Sequence, residues 1–377
     1  MDNLSRRNFV GAMALGMSAG IGVTPALASS PSAASQARAA TLKPVRTRIG
    51  HEVQGVLTDK MAAYLARYGV QGVGCAADIP DPARVYATVA ELSQARELAE
   101  RHGLTMDIAE CALPTTNVDE QAHPAIDLGE SPQRDRDIEA FQIHIRNVAT
   151  AGIPCIKYAL TILGAVRTGL TPGRGDAMNP TWRLQDAPNL PLTRAGVVSA
   201  DSFWERITYF LDRAVPVANE YKVRLALHPH DPGVPPQGYR GVQRVLGTVE
   251  GMKQFIGIQE SPYHGLNFCQ GTVAEMLQGP GSEIFDVIRY FGSRNKIFNV
   301  HFRNIRGHRD SFVETFPDEG DVDFVKAVKV YRELGYSGLL MPDHVAMTPG
   351  DPSGTLENFA FDFGYFRGLL QAEAHVV

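Results

Sequence analysis

The sequence predicts a closed barrel of eight parallel strands that alternate with helices, a (β/α)8 barrel. Eight short apolar or β-branched runs, each closed by Gly, Pro or a polar residue, lie near residues 45–56, 71–76, 104–110, 154–160, 223–228, 265–269, 296–302 and 337–342. Amphipathic helical patterns fall between them, at residues 59–68, 83–102, 135–151, 202–221, 249–255, 282–293 and 322–334. This alternation is typical of a parallel barrel. A doubly wound open sheet is the alternative, and the lack of a Gly-rich nucleotide turn after the first strand counts against it.

The first 28 residues have the pattern of a twin-arginine export signal. Arg6 and Arg7 precede Phe9 and an uncharged, Gly-dotted segment, and Ala26 and Ala28 complete a small-residue cleavage pattern. The apolar segment is too short and too rich in Gly and Ala for a stable membrane anchor. We therefore expect delivery to the periplasm by the twin-arginine translocase, with no stable membrane insertion after signal cleavage.

The rest of the chain is predicted to form one domain. Residues 29–44 are rich in Ala and Ser and are expected to be a disordered linker, which leaves residues 45–377 for the catalytic barrel. The net charge of −5 and the lack of a basic cluster argue against a nucleic-acid partner. Three cysteines, Cys75, Cys111 and Cys155, show no CxxC pairing and are expected to be buried free thiols. The sequence leaves open whether the chain forms a homo-oligomer.

One connection is much longer than a turn. Residues 161–200, after the fourth predicted strand, carry several glycines and prolines and Trp182, without clear periodicity. Loops of this length in compact enzymes are usually lids or binding loops. Because the loop follows a strand, we expect it on the face of the barrel where the strands end.

Four consecutive predicted strands end on residues that can bind a metal ion. These residues are His228, Cys269, His301 and Asp343, which lie 41, 32 and 42 residues apart. A strand with its crossover helix and loops needs roughly 30 or more residues. The C-terminal ends of barrel strands converge on one face, so the sequence predicts a single metal site. Ligand chemistry leaves the ion open: imidazole and thiolate suit Zn²⁺ or Fe²⁺, and the carboxylate favours Mn²⁺.

Several motifs resemble the mannonate dehydratase family of xylose-isomerase-like barrels. They are His-Pro-His-Asp-Pro at 228–232, Asn-Phe-Cys-Gln-Gly at 267–271, His-Phe-Arg-Asn at 301–304 and Pro-Asp-His at 342–344. The likeness covers nearly everything from about residue 49 to residue 371. It implies a barrel enzyme that dehydrates D-mannonate to 2-keto-3-deoxygluconate, with Mn²⁺ held by the residues that match His228, Cys269, His301 and Asp343.

The chain also departs from the family pattern. The first motif normally reads His-Pro-Asp-Asp-Pro-Pro, and here His230 and Gly233 replace an Asp and a Pro. The family's His-His-Ile-Pro stretch is Ala-Asp-Ile-Pro at residues 77–80. The position of the family's proposed catalytic tyrosine is matched by Phe359 or Ala360. These changes leave the predicted metal site intact and bear on substrate and reaction.

Dehydration of a sugar acid requires a base that faces C2 and an acid that faces the C3 hydroxyl. By resemblance, His344 is one member of this pair, since it directly follows the ligand Asp343. His230 and Tyr158, at the ends of the fifth and fourth predicted strands, are candidates for the other member.

Substrate-binding residues are predicted next to the ligand His301. Arg303 could fork onto the substrate carboxylate, or it could pair with Glu314 in a purely structural role. Asn304 could bind a hydroxyl. Glu110 and Lys157, also at strand ends, are expected either to bind substrate or to pair with each other.

Three functions follow from these residues. The first is a metal-dependent sugar-acid dehydratase, most simply one that acts on D-mannonate. The second is a sugar isomerase or epimerase on the same barrel, which the missing tyrosine and the missing His-His pair favour. The third is a non-catalytic periplasmic sugar-acid binding protein, although such a protein has little use for a thiolate-containing metal site.

Overall fold

The computed structural model of the chain describes residues 43–352 and 356–375. The predicted export signal, and all of the predicted linker except residues 43 and 44, lie outside the described residues. In chain order the strands are β1 (Arg48–Val56), β2 (Gly72–Ala76), β3 (Thr105–Ala109), β4 (Cys155–Ala159), β5 (Gly169–Pro172), β6 (Met178–Arg183), β7 (Arg224–His228), β8 (His264–Cys269), β9 (Ile297–His301), β10 (Asn304–His308), β11 (Ser311–Thr315) and β12 (Leu339–Met341).

Eight of these strands close into a parallel barrel, which confirms the predicted fold class. The order around the barrel is β1, β12, β9, β8, β7, β4, β3 and β2, and each neighbouring pair is parallel. The barrel strands are those that the sequence predicts, because their apolar runs are buried on both faces, as parallel strands require. Their register sets ligand-bearing ends side by side: Cys269 pairs with His301, and His301 with Met341.

Helices cover the outside of the barrel. They are α1 (Asp59–Arg67), α2 (Val89–Arg101), α3 (Ala125–Leu128), α4 (Gln133–Thr150), α5 (Ala200–Tyr221), α6 (Val249–Ile258), α7 (Gln270–Ala274), α8 (Pro280–Gly292), α9 (Phe324–Leu334) and α10 (Glu357–Ala374). Side-chain oxygens cap several helix starts, as Thr88 does for α2 in a capping box with Glu91. Within the described residues, no helix is long and apolar enough to cross a membrane.

A second, four-stranded antiparallel sheet was not predicted. Its order is β10, β11, β6 and β5, so it joins the hairpin of the long loop to a hairpin that follows the ligand strand β9. Trp182 of β6 pairs with Phe312 of β11 and is fully buried. The loop is therefore an ordered part of the fold. These strands are only four to six residues long and depend on a partner far away in sequence, so local periodicity did not reveal them.

Helix α10 was also missed. Its glycines at positions 364 and 368 interrupt the apolar pattern, yet Phe363 and Phe366 are fully buried in the main core. Tertiary packing on these two aromatic side chains outweighs the low helix propensity of glycine.

Candidate metal centre and its cavity

The four predicted ligands lie together at the C-terminal ends of four strands. His228, Cys269 and His301 end β7, β8 and β9, and Asp343 follows β12. One donor atom from each lies within 4.8 Å of the others, and the three strand-end residues are buried. Two atoms that bind one first-row ion at roughly 2.0 to 2.3 Å are up to about 4.6 Å apart, so this set can hold one ion with little movement.

Hydrogen bonds fix which nitrogen of each histidine is free. His228 Nδ1 lies 2.7 Å from the carbonyl oxygen of Pro229 and must donate its proton there, which leaves Nε2 with a lone pair. His301 Nε2 donates to Glu52 Oε2 at 3.0 Å, which leaves Nδ1 free and 3.5 Å from Asp343 Oδ1. Among the described residues this buried Nδ1 has no hydrogen-bond partner. Such carboxylate-oriented imidazoles are typical of metal sites.

Cys269 is held as a thiolate. Its sulfur accepts hydrogen bonds from the backbone nitrogen and hydroxyl of Thr272, at 3.4 and 3.1 Å, at the start of α7. Burial alone would raise the pKa of this thiol, but the pKa is lowered to about 5, chiefly by the charge of the Arg303 guanidinium 3.7 Å away. A thiolate is the form that binds metal.

The carboxylate completes a set that suits a divalent cation. Burial opposes ionisation of Asp343, but the neighbouring His344 and His301 hold its pKa well below the ordinary range. Two imidazole lone pairs, a thiolate and a carboxylate are a fitting donor set for a first-row divalent metal. The residues present therefore fit the predicted metal.

A cavity of about 300 Å³ opens beside the ligands. Its lining is mostly polar and includes Glu52, Gln54, Thr115, Lys157, Thr161, Asp231, Arg244 and His344, besides three of the ligands. Lys157 pairs with Glu52, and burial together with Glu52 raises the pKa of Glu110 to about 8. Lys157 therefore pairs mainly with Glu52, while Glu110 favours its neutral form.

His344 faces this cavity with 36% of its side chain exposed. Its Nδ1 lies 2.9 Å from Glu314 Oε1, and its Nε2 lies 4.0 Å from Asp343 Oδ1. Burial lowers the pKa of His344, but the charges of Glu314 and Asp343 outweigh burial and raise it to about 9. Glu314 thus positions the ring and favours its charged form.

A family model described as D-mannonate dehydratase (UxuA) matches residues 183–376, which is more than half of the chain. The chain belongs to the D-mannonate dehydratase family. The matched part contains all four candidate ligands and His344. The resemblance that the motifs indicated is thereby confirmed at the level of the family.

Individual relatives agree with the family assignment. A mannonate dehydratase of Thermotoga petrophila is 29% identical over 344 residues, with 81% of this chain and 91% of that relative covered. A mannonate dehydratase of Shouchella clausii is 30% identical over 289 residues, with 67% of this chain and 76% of that relative covered.

Solved structures support the fold. The mannonate dehydratase of Streptococcus suis serotype 2 superposes with a TM-score of 0.74 at 24% identity, covering 87% of this chain and 95% of that chain. A D-tagatose 3-epimerase-like protein reaches a TM-score of 0.54 at 14% identity, covering 87% and 98% of the two chains. The barrel is thus shared beyond the D-mannonate dehydratase family.

Two residues predicted for proton transfer lie away from the cavity, which corrects the expectation that they face it. Tyr158 points outward from β4, where it packs against Phe141 and Phe210 and is 1% exposed. His230 is also 1% exposed, and its two nitrogens bond to the backbone of Leu160 and Leu246. Successive strand residues face opposite sides, so a register error of one residue moves a side chain from the cavity to the core.

The two residues predicted to bind substrate are also enclosed by protein. Arg303 is 1% exposed at its side chain and contacts Asp231, Glu275, Glu314 and Asp343 at 2.6 to 3.2 Å. The structural alternative, with Arg303 paired to Glu314, is the one that the structure contains. The amide of Asn304 bonds to the backbone of Pro317 and Val322 and holds the loop after β11. Neither side chain is free to meet a ligand in the cavity.

Residues that sequence reasoning overlooked complete the surroundings. Glu52 orients His301, Arg167 contacts Asp231 and Glu314 from the start of the long-loop hairpin, and Glu275 bonds to Arg303. Arg244 lines the cavity from the loop that follows β7. Of these residues, only Glu52 could have been singled out from the sequence, because an acidic side chain within a buried strand is unusual.

We predict that Glu52→Gln lowers metal affinity about 10- to 100-fold, because His301 would lose the carboxylate that fixes its tautomer. Metal affinity is measured by competition with a chelator of known strength. Asp107→Asn is the control. Asp107 lies on β3 and, like Glu52, is a partly buried acid with a charged partner, in its case Arg48 of β1. Unchanged affinity in Glu52→Gln would show that this acid does not support the ligand.

We also predict that Tyr158→Phe keeps full activity and does not lower the free energy of unfolding. The buried Tyr158 hydroxyl has no hydrogen-bond partner among the described residues, so its removal relieves a desolvation cost. Tyr331→Phe is the control, because that buried hydroxyl bonds to Gln270 at 3.2 Å, and its loss should cost about 0.5 to 1.5 kcal/mol. Urea denaturation and steady-state kinetics are the measurements. A large loss of kcat in Tyr158→Phe would restore this tyrosine as a proton-transfer group.

Proposed function

We propose that this chain is a metal-dependent hydro-lyase that converts D-mannonate to 2-keto-3-deoxy-D-gluconate and water. The observation that carries the proposal is the joint placement of His228, Cys269, His301 and Asp343 beside a polar cavity that His344 faces, in a member of the D-mannonate dehydratase family. A cavity of about 300 Å³ with polar walls suits a small, highly hydroxylated ligand.

In the reaction a base takes the C2 proton, and the C3 hydroxyl leaves as water after it receives a proton from an acid. The resulting enol loses its hydroxyl proton and gains a proton at C3, which gives the 2-keto-3-deoxy acid. A divalent cation in the cluster would stabilise the negative charge that develops next to the substrate carboxylate. His344 is the acid for the leaving hydroxyl, because Glu314 orients its ring and favours the charged form. Arg303 supports the ionised forms of Cys269 and Asp343 by donating hydrogen bonds to both.

Manganese is the ion that we propose for the site. The proposal rests on the resemblance of the four ligand motifs to the family and on the carboxylate within the donor set, which favours a harder ion. Zinc and ferrous iron are the competitors, because two imidazoles and a thiolate suit them.

A sugar isomerase or epimerase is the second candidate. Among the described residues that line the cavity there is no tyrosine, and Phe359 packs its ring against His51 with centroids 4.7 Å apart. Solved barrels of similar shape include an L-ribulose 3-epimerase, at 16% identity and a TM-score of 0.50.

Product analysis separates these functions. The purified, manganese-loaded protein is incubated with a panel of hexonates and hexoses, and the products are identified by mass spectrometry and NMR. A 2-keto-3-deoxy acid from D-mannonate supports the dehydratase. A product that is an isomer of the sugar, with unchanged mass, would show that the protein is an isomerase or epimerase. Binding without turnover would show that it is a sugar-acid binding protein.

We predict that His344→Ala keeps the metal stoichiometry of the wild type and lowers kcat about 10²- to 10⁴-fold. The reason is that His344 acts in proton transfer and the four ligands remain. Metal content is measured by elemental analysis and kcat by product formation. His308→Ala, at an exposed histidine of β10, should leave kcat unchanged. Loss of metal together with activity would make His344 a ligand or a support of one.

We further propose that residues 1–28 send the folded protein to the periplasm by the twin-arginine route. Support comes from the adjacent Arg6 and Arg7, the short apolar segment and the small-residue cleavage pattern. Folding before export would allow metal insertion in the cytoplasm, where Cys269 is buried before it meets an oxidising compartment.

Replacing residues 1–28 with a signal for export of the unfolded chain is expected to change the metal. The periplasmic protein should carry zinc or copper, which bind such ligands more tightly than manganese, or an oxidised Cys269, with poor activity. Elemental analysis and thiol titration of the periplasmic fraction are the measurements. Equal metal content and activity from both routes would show that signal and site are unrelated.

A further inference from the structure

The cations around the cavity differ in one respect, which is whether an acidic side chain neutralises them. Lys157 pairs with Glu52, and His344 pairs with Glu314. Arg167 and Arg303 each contact the ionised carboxylates of Asp231 and Glu314. The positive charges of these four side chains are therefore compensated inside the protein.

Arg244 is the exception among the described residues that line the cavity. Its side chain makes no ion pair there, although it is only 6% exposed. Its two terminal nitrogens donate to backbone carbonyl oxygens, one to Asp231 at 2.8 Å and one to Gly164 at 2.6 Å. An arginine has five N–H donors, so three remain, and the guanidinium keeps its full charge.

The acidic groups near Arg244 offset its charge only in part, because Asp231 and Glu275 raise its pKa but form no ion pair with it. The Asp231 carboxylate already accepts hydrogen bonds from Arg167 at 2.6 and 3.0 Å and from Arg303 at 3.1 Å. His230 is no counter-ion either, because an imidazole carries no negative charge and both of its ring nitrogens bond to backbone groups of Leu160 and Leu246. Burial accordingly lowers the pKa of Arg244 itself to about 10.

A buried charge without a counter-ion is costly, and an anion that enters the cavity would relieve the cost. The backbone bonds hold the guanidinium between two loops that both line the cavity, one at Gly164 and one at Asp231. A guanidinium fixed in this way is organised in advance to bind a planar carboxylate through its remaining donors.

We propose that Arg244 binds the carboxylate of the ligand and thereby selects sugar acids over neutral sugars of the same length. The proposal deepens the proposed function, because it takes the ligand to be an aldonate. It replaces Arg303, which the acidic side chains enclose, as the arginine that recognises the carboxylate. Arg244 lies in the loop between β7 and α6, so no strand-end pattern marks it in the sequence.

The test compares two ligands that differ only in charge, D-mannonate and its neutral amide D-mannonamide. Dissociation constants for both are measured by calorimetry on metal-free wild type, Arg244→Gln and Arg244→Lys, because the manganese-loaded protein would convert D-mannonate during the titration. The wild type should prefer the acid about 10- to 100-fold, as expected for a charge-assisted hydrogen bond. Arg244→Gln should lose most of this preference, and Arg244→Lys should keep part of it.

The matched control is Arg224→Gln. Arg224 begins the same strand, β7, at the opposite end of the barrel, and its guanidinium lies over the Phe298 ring. This variant should keep the preference of the wild type. A merely structural role of Arg244 would weaken binding of the acid and the amide equally, so the ratio of the two constants separates recognition from folding.

Two results would overturn the proposal: a ratio that stays unchanged in Arg244→Gln, or a metal-free wild type that binds acid and amide equally. The second measurement needs no variant, so it decides the matter even if Arg244→Gln does not fold.

The other hexonates and their amides are titrated in parallel. If D-mannonate is not dehydrated but some hexonate shows an acid preference that depends on Arg244, the proposed function fails and the proposal on Arg244 stands. If D-mannonate is dehydrated and the ratio does not depend on Arg244, the proposed function stands and the proposal on Arg244 fails.

Discussion

The buried guanidinium of Arg303 is the interaction on which the arrangement of the site depends. It contacts Asp231 after β7, Cys269 at the end of β8, Glu314 in β11 and Asp343 after β12. One cation thus connects four separate segments of the barrel mouth. Its removal would leave several buried acids uncompensated, which typically costs about 3 to 5 kcal/mol.

The same cation influences the protonation states of its neighbours. It is the main group that opposes the effect of burial on Cys269, and it assists His344 and His301, which contribute more to keeping Asp343 ionised. Glu275, which is fully enclosed, behaves differently: burial and the charge of Asp231 raise its pKa well above the ordinary range. The cluster therefore contains both ionised and neutral acids, as their separate surroundings require.

The second sheet connects this cluster to the long loop. Strand β11 carries Glu314, which orients His344, and it pairs with β6 of the loop hairpin. Arg167, two residues before β5, reaches Asp231 and Glu314. The loop after β4 therefore stabilises the C-terminal end of the barrel through the two contacts of Arg167 and through the sheet that β6 and β11 share.

The sequence alone was enough to predict the barrel and the four candidate ligands, because strand ends in a parallel barrel must converge and the ligand types recur once per unit. It did not reveal the second sheet, whose short strands find partners far along the chain. Only the tertiary structure decided three features of the site. These are the side of β4 on which Tyr158 lies, the enclosure of Arg303 by acidic side chains, and the lack of an ion pair for Arg244. Each depends on a one-residue register or on side chains distant in sequence, and local patterns carry neither kind of information.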